Sequence, residues 1–99
     1  MVRDFAVARI DRDDVSSFVT RKVASDYRQH TGGLALYSYA GLDILGWYLF
    51  HFEASAHGRY QASIDLNLAG GRSRVQESLV LGKGPNGGLV VQKAVLLKS

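Results

Sequence analysis

Polar and apolar residues alternate without interruption from Tyr60 to Leu68. One set of alternate positions is apolar: Tyr60, Ala62, Ile64, Leu66 and Leu68. The positions between them are polar: Gln61, Ser63, Asp65 and Asn67. Because successive side chains of a strand point to opposite faces, this pattern predicts a strand with one buried face and one solvated face. The second half of the chain is therefore expected to form an antiparallel sheet that is covered on one side only.

The segment from Asp11 to Thr31 has the spacing of an amphipathic helix. Its apolar positions recur every three or four residues: Val15, Phe18, Val19, Val23, Tyr27 and His30. This spacing places them on one stripe of a helix. Asp11 is the expected N-cap, and Gly32–Gly33 supplies the left-handed stop that ends many helices. We predict one helix over residues 11–31.

The rest of the chain has the pattern of strands separated by turns. The short apolar run from Phe5 to Ile10 predicts a first strand, or an ordered arm, since its apolar positions do not alternate cleanly. After the helix, strands are predicted over residues 34–40, 44–53, 60–68, 74–81 and 89–97. The predicted order is β-α-β-β-β-β. It corresponds to an α+β fold in one domain, 1–99, with one N-terminal helix packed across a four- to five-stranded antiparallel meander.

This order resembles the cystatin-like group of folds, which includes cystatins, monellin and small relatives of nuclear transport factor two. The resemblance rests on topology and on the rhythm of the hairpins between Tyr60 and Leu97. Cystatin inhibitors carry Gln-x-Val-x-Gly and Pro-Trp in their hairpin loops, whereas this chain has Tyr-Ala-Gly-Leu-Asp at 39–43 and Gly-Pro-Asn-Gly at 84–87. The resemblance therefore implies the fold, and inhibition of cysteine proteases by that mechanism is not expected.

Composition limits the chemistry and the setting. The chain has no cysteine, which excludes disulfides, a thiol nucleophile and thiolate metal sites. The longest apolar stretch, Ile44–Phe50, is far shorter than the ~20 residues of a membrane span, and no secretory leader is recognised. We expect a cytoplasmic protein, or one of the host cytoplasm if the gene is viral or mobile, that does not enter a membrane.

No catalytic, metal-binding or cofactor-binding residue is predicted. The histidines have no ligand spacing with one another or with a carboxylate. His51 and Glu53 share a strand face and could form an acid/base unit with Asp43 or Asp65, but a solvated strand face is the simpler interpretation. The glycine-rich run 82–88 lacks the Ser/Thr and the following helix of a phosphate loop, so we predict a hairpin loop.

An aromatic-rich zone lies between residues 37 and 52. The strand that starts at Ile44 is apolar on both faces, and such a strand needs a cover from the helix, from a bulge at Gly46 or from a second molecule. We predict that this zone binds another protein or a second copy of the chain. The candidate contact residues are Trp47, Tyr48, Tyr37 and Tyr39.

The mild basic excess, a net charge of +3, allows a nucleic-acid role. The best local cluster is expected around the Gly70–Gly71 turn. Arg72 and Arg74 flank this turn, and Arg59 is expected across the same hairpin. The candidate nucleic-acid contacts are these three residues and Lys83. Ordinary solubilising charge near a sheet edge explains the same residues.

Three functions remain open on the sequence. The favoured one is a small non-catalytic protein-binding module, such as an inhibitor, an immunity-type factor or an accessory subunit, that acts through its sheet and hairpin surface. The first alternative is a basic nucleic-acid-associated protein. The second is a minimal ligand-binding protein or enzyme similar to nuclear transport factor two, which would need a pocket lined by polar groups such as Tyr27, His51 or Asp65.

Overall fold

The computed structural model describes residues 1–71 and 73–97. Two helices precede five strands: α1 (Val2–Ile10), α2 (Arg21–Arg28), β1 (Ser38–Tyr39), β2 (Leu42–Ala54), β3 (Tyr60–Leu68), β4 (Arg74–Lys83) and β5 (Leu89–Leu97). Short 3₁₀ turns occupy Thr31–Gly33 and Ala56–Gly58. The predicted α+β class is confirmed.

The strands form one antiparallel sheet in chain order, from β1 to β5. In β3 the predicted inward residues are buried: Ala62, Ile64, Leu66 and Leu68. Both helices pack on this face, α1 beside β2 and α2 beside β5. The opposite face, which carries the alternate β3 residues Gln61, Ser63, Asp65 and Asn67 and their neighbours in register, is called the open face below.

The predicted first strand, Phe5–Ile10, is wrong, because this segment belongs to α1. Val2, Phe5, Ala6 and Arg9 are all buried, at the helical spacing of three and four residues. Arg9 is the fourth residue of this buried helical stripe, but its charge hid it from a search for apolar positions. The remaining apolar residues then resembled a short strand.

The predicted long helix over residues 11–31 is also wrong in its extent, because only Arg21–Arg28 is helical. Thr20 caps α2, since its Oγ1 accepts a hydrogen bond from the Val23 N–H at 3.2 Å. Residues before Thr20 are buried without being helical: Val15 lies in a loop and Val19 forms a bridge to Val91 of β5. The prediction that Val15 and Val19 are buried is therefore correct, but these two residues lie in a loop and not in a helix.

The strand predictions after the helix are confirmed for β3 and β5 at both ends and for β4 within two residues. The predicted strand 34–40 shortens to Ser38–Tyr39. In the segment before it, the carbonyls of Ala35 and Leu36 accept hydrogen bonds from the Arg9 side chain and not from a neighbouring strand. β2 is longer than predicted and begins directly after a tight turn, Ala40–Gly41, in which both residues have positive φ.

Candidate functional site

An ion pair between Arg9 and Glu77 lies in the core, and both side chains are completely buried. Arg9 Nη1 and Nη2 donate to the two carboxylate oxygens of Glu77, each at 2.8 Å. Arg9 Nε and Nη2 also donate to the carbonyls of Leu36 and Ala35, again at 2.8 Å. A two-point pair of this kind is the strong form of a charge-assisted hydrogen bond.

Two tyrosine hydroxyls complete the surroundings of Glu77. Tyr27 donates to Oε1 at 2.7 Å, and Tyr39 donates to Oε2. Burial alone would raise the pKa of Glu77, but the charge of Arg9 and the hydrogen bonds from Arg9, Tyr39 and Tyr27 outweigh it and lower the pKa. Burial, followed by the adjacent carboxylate, raises the pKa of both tyrosines. At neutral pH the cluster therefore holds one cation, one anion and two neutral phenols.

This cluster joins α1, α2, β1, β4 and the segment before β1. The Arg9 guanidinium also lies about 5 Å from the ring centres of Phe5 and Tyr27, as in cation–π contacts. Because neither member of the ion pair is exposed, no solute reaches the charges. We assign the cluster to structure: it fixes the helices over the sheet and so positions β2.

The surface of β2 is shaped by two β-bulges. Ile44 and Trp47 face the helices, since they pair with inward residues of β3, yet two residues separate them instead of one. The extra residue places both Leu45 and Gly46 on the open face. A Cβ on Gly46 would lie 3.3 Å from the side chain of Asn67, which is an open-face residue.

The second bulge repeats this arrangement farther along β2. Leu49 and Phe52 face the helices, and the two residues between them, Phe50 and His51, lie on the open face. Bulges insert one unpaired residue and redirect the neighbouring side chains. Each bulge of β2 thus adds one large apolar side chain, Leu45 or Phe50, to the open face.

The outer edge of β2 is unpaired over most of its length. β1 pairs only with Leu42 and Asp43. Beyond them, the Ile44 N–H donates to the Tyr37 carbonyl at 3.3 Å. No strand or bridge within residues 1–71 and 73–97 pairs with the outer edge from Leu45 to Ala54. This stretch is called the β2 edge below, and its outward N–H and C=O groups are available to another chain.

The other edge of the sheet, β5, is bridged at Val91. The Val91 N–H donates to the Phe18 carbonyl at 2.7 Å, and the Thr20 N–H donates to the Val91 carbonyl at 3.1 Å. Among the described residues, the outer edge of β5 is therefore paired only at this residue, and the outer edge of β2 only beside β1. The two edges differ in their side chains, because the larger exposed apolar residues lie on β2.

Large apolar side chains are concentrated on the β2 edge. Four of them are strongly exposed: Leu45 (62%), Tyr48 (63%), Phe50 (44%) and Phe52 (48%). On the helix side an apolar groove of about 310 Å³ runs between the start of α1 and the sheet. Its lining includes Met1, Val2, Trp47, Leu49, Phe52 and Leu89. The edge is therefore flanked by apolar surface on both faces.

The structure separates the four predicted aromatic contact residues. Tyr48 is exposed on the open face, and Trp47 is half-buried on the helix side. Tyr37 is half-buried, and its hydroxyl donates to the Asp13 carbonyl at 2.8 Å. Tyr39 is buried and bonded to Glu77, so its ring cannot reach a partner. Trp47 and Tyr48 border one strand edge from opposite faces, and Tyr37 and Tyr39 do not belong to this edge.

The predicted basic cluster is not brought together among the described residues, and Arg72 lies outside them. Arg59 precedes Tyr60, which pairs with Leu81, whereas Arg74 pairs with Asn67 at the other end of β3. At ~3.3 Å per residue these ends are roughly 25 Å apart. Lys83 lies at the Arg59 end of the sheet. The expectation that Arg59 shares a hairpin end with Arg74 is therefore wrong.

The acid/base candidates are exposed. His51 Nε2 lies 3.5 Å from Glu53 Oε1, and each side chain is about half exposed on the open face. The polar pocket required by a ligand-binding protein is not assembled: Tyr27 is in the core, while His51 and Asp65 lie on the open face. Within residues 1–71 and 73–97 no group of three or more His, Asp or Glu is close enough to hold a metal ion.

The glycine-rich loop between β4 and β5 closes a hairpin, as predicted. The Gly84 N–H donates to the Gly88 carbonyl at 2.7 Å, and the Gly87 N–H donates back to the Gly84 carbonyl at 3.0 Å. A shallow cleft of about 420 Å³ separates this loop from Ser16, in the loop before α2, and from Arg21, the first residue of α2. The loop leads into a strand, so the geometry differs from that of a phosphate loop.

Sequence reasoning missed the Arg9–Glu77 pair and the unpaired edge. A signal for the pair was present, since Glu77 occupies an inward position of β4 between Val75 and Leu79, where an apolar residue is expected.

Comparison with protein-family models, curated proteins and solved structures gave no match. Neither helix described by the structure is long and apolar enough to cross a membrane.

Proposed function

We propose that the protein is a small non-catalytic protein-binding module and that its partner lies along the β2 edge as an added strand. The observation that carries the proposal is the unpaired edge from Leu45 to Ala54, flanked on both faces by exposed apolar side chains. In β-strand addition, backbone hydrogen bonds supply affinity and alternate side chains supply specificity. The β2 edge offers both components.

The edge lacks most of the devices that protect natural sheet edges, although it has two bulges and Glu53. Proteins discourage edge-to-edge pairing with lysine, proline, short strands or a covering segment. Glu53, at the far end, is the only residue of the edge with a full charge at neutral pH, and there is neither lysine nor proline. The bulges, which can twist an edge away, here expose Leu45 and Phe50 instead. An exposed apolar edge of this length is typical of an interaction site.

The chemistry of the edge defines the partner segment. It must be extended, so that its backbone meets the outward groups of β2, and it must be apolar on both faces. On the open face its side chains would contact Tyr48 and Phe50. On the helix side they would enter the groove beside Trp47 and Phe52.

This interpretation suits an inhibitor, an immunity-type factor or an accessory subunit in the cytoplasm. Helices on one face of an antiparallel meander are also compatible with a cystatin-like topology. In this proposal the edge strand β2 makes the contact. The hairpin loops that carry inhibition in cystatins have no assigned role.

A bait experiment in the lysate of the source organism tests the proposal. Tagged wild-type protein, Tyr48→Lys and Val95→Lys are compared, with and without nuclease. Val95 is a matched control, because it is an exposed apolar residue of the open face on the distant strand β5. We expect a protein partner that resists nuclease, is retained by Val95→Lys and is lost with Tyr48→Lys.

Two results would contradict the proposal. Equal capture by all three baits would place the contact away from β2. Loss of all captured material after nuclease would favour the nucleic-acid alternative, which also requires affinity that falls steeply with salt. Circular dichroism of each bait confirms that the substitutions leave the fold intact.

A further inference from the structure

We propose that the β2 edge pairs with the β2 edge of a second copy, antiparallel, around a two-fold axis at Tyr48. The inference rests on the proposed function and names its partner. A symmetric dimer of this kind uses the same patch twice, so the patch must be complementary to itself. The β2 edge meets this condition in its pattern of faces, its bulges and its charges.

The faces of β2 are symmetric about Tyr48. Residues at equal distances before and after Tyr48 lie on the same side of the sheet: 47 and 49 on the helix side, 46 and 50 on the open face, 45 and 51 on the open face, and 44 and 52 on the helix side. Directly opposed residues of an antiparallel pair always share a face. Pairing centred on Tyr48 therefore matches the faces across the seven positions 45–51, whose outer edge is free on both copies. A shift of the centre to residue 49 opposes Trp47 to His51, which lie on different faces.

The two bulges obey the same symmetry. Leu45 and Gly46 lie three and two residues before Tyr48, and Phe50 and His51 lie two and three residues after it. A two-fold axis at Tyr48 brings the first bulge of each copy opposite the second bulge of the other. A straight peptide strand would have no equivalent feature, which favours a second copy as the occupant.

The opposed side chains are compatible in size and polarity. Tyr48 would meet its own equivalent at the axis on the open face. On the helix side Trp47 would lie opposite Leu49 of the other copy. Cross-strand aromatic and aliphatic pairs of this kind stabilise sheets.

The pairing ends where β1 begins. β1 already pairs with Asp43, and the Ile44 N–H donates to the Tyr37 carbonyl, so residues 43 and 44 have no free outer edge. The second copy would therefore pair with residues 45–51, a stretch that contains no Asp, Glu, Lys or Arg, and no like charges are opposed within it.

The available area is that of a small interface. At ~200 Å² for a fully exposed large apolar side chain, the four exposed apolar side chains of the edge present roughly 400 Å² per copy. Two copies would remove at most about 800 Å² of apolar side-chain surface from water, before the backbone edges are included. This upper bound lies at the low end of the range for specific interfaces, so a concentration-dependent dimer is expected.

The first test is the mass of the purified chain, measured by size-exclusion chromatography with light scattering over a range of concentrations. Wild-type protein and Val95→Lys are expected to be dimeric. Tyr48→Lys places two like charges at the axis, so its dimer dissociation constant should rise about tenfold or more. Far-UV circular dichroism shows whether Tyr48→Lys is folded.

The second test uses cross-linking, because the chain has no cysteine of its own. Tyr48→Cys is expected to form a disulfide-linked dimer on mild oxidation, since directly opposed residues have Cα atoms ~4.5–5.5 Å apart and disulfides need ~4.4–6.8 Å. Leu45→Cys alone should not cross-link, whereas a mixture of Leu45→Cys and His51→Cys proteins should. Val95→Cys is the exposed control and should remain monomeric on a denaturing gel.

Failure of this inference is distinguishable from failure of the proposed function. A wild-type chain that is monomeric at every concentration, with no Tyr48→Cys cross-link, overturns the dimer. If the lysate bait then still retains a protein through Tyr48, strand addition along β2 stands with a different partner. If the bait retains none, both proposals fall.

Discussion

Arg9 and Glu77, which are 68 positions apart in the sequence, form a two-point ion pair with both oxygen–nitrogen distances at 2.8 Å and no solvent exposure. The pair fixes α1 against β4, and the tyrosines attached to it add α2 and β1. The position of β2, which carries the proposed binding edge, depends on this arrangement because α1 packs beside it.

Removal of one member of the pair should be strongly destabilising. Arg9→Met or Glu77→Gln leaves the other group buried without its partner, and we expect a loss of about 3–5 kcal/mol in the free energy of unfolding. Urea denaturation measures this change. Asp43→Asn is the matched control, because its bond to Arg12 is exposed and should contribute less than about 1 kcal/mol. A loss of stability in Asp43→Asn as large as that in Arg9→Met or Glu77→Gln would contradict the role given to the buried pair.

Acid should destabilise the protein through Glu77. The pKa of Glu77 is lower in the folded state than its ordinary value of 4.5, so its contribution to stability is complete above that value. The contribution is lost progressively as the pH falls below 4.5 and through the folded-state pKa. Denaturation midpoints measured from neutral to acidic pH should show this decline for the wild type. A Glu77→Gln variant should show a shallower decline, and parallel curves would exclude Glu77 as the cause.

Alkali should destabilise the protein through Tyr27 and Tyr39. Burial raises the pKa of both phenols in the folded state above the ordinary value of 10.0, so unfolding releases their protons at high pH. Stability from this source is complete below pH 10 and declines as the pH rises toward the folded-state pKa values. A titration followed by phenolate absorbance should show two phenols that ionise together with unfolding. Ionisation of all tyrosines before any loss of structure would contradict this expectation.

The hydroxyl of Tyr39 should matter more than that of Tyr37. Tyr39→Phe removes a hydrogen bond to a buried carboxylate, and we expect a loss of about 1.5–3 kcal/mol. Tyr37→Phe removes a bond to the carbonyl of Asp13 in an exposed loop, and the loss should be about 1 kcal/mol or less. Thermal and urea unfolding of the two variants, measured side by side, provides the comparison. The prediction fails if Tyr37→Phe is the more damaging change.

The sequence predicted the second half of the fold well, because a half-buried strand such as β3 records its two faces in alternate residues. It failed at α1, where Arg9 replaces an apolar residue on the buried stripe. It failed again before α2, where Val15 and Val19 are buried by a loop that bonds to β5. In both places a contact with a distant element determines the local structure, and periodicity does not report such contacts.

The candidate site was predicted only in part. The two apolar faces of β2 indicated that the strand needs a cover, and this drew attention to Trp47 and Tyr48. The sequence pattern alone could not show that Tyr39 points inward to Glu77. Tyr37 and Tyr39 are two positions apart, so a strand would place both side chains on the same face. It also could not show that Arg59 and Arg74 lie at opposite ends of β3, because this depends on strand register.

Strand addition at the β2 edge is tested most directly by amide hydrogen exchange along β2, measured by NMR at low and high protein concentration and again with any partner captured by the chain. The outward amides between Leu45 and Ala54 should exchange fast in the dilute free protein and become protected when the edge is paired. Amides of β3, which are paired in every state, provide the internal reference. Fast exchange of the β2 amides under all three conditions would contradict strand addition at this edge.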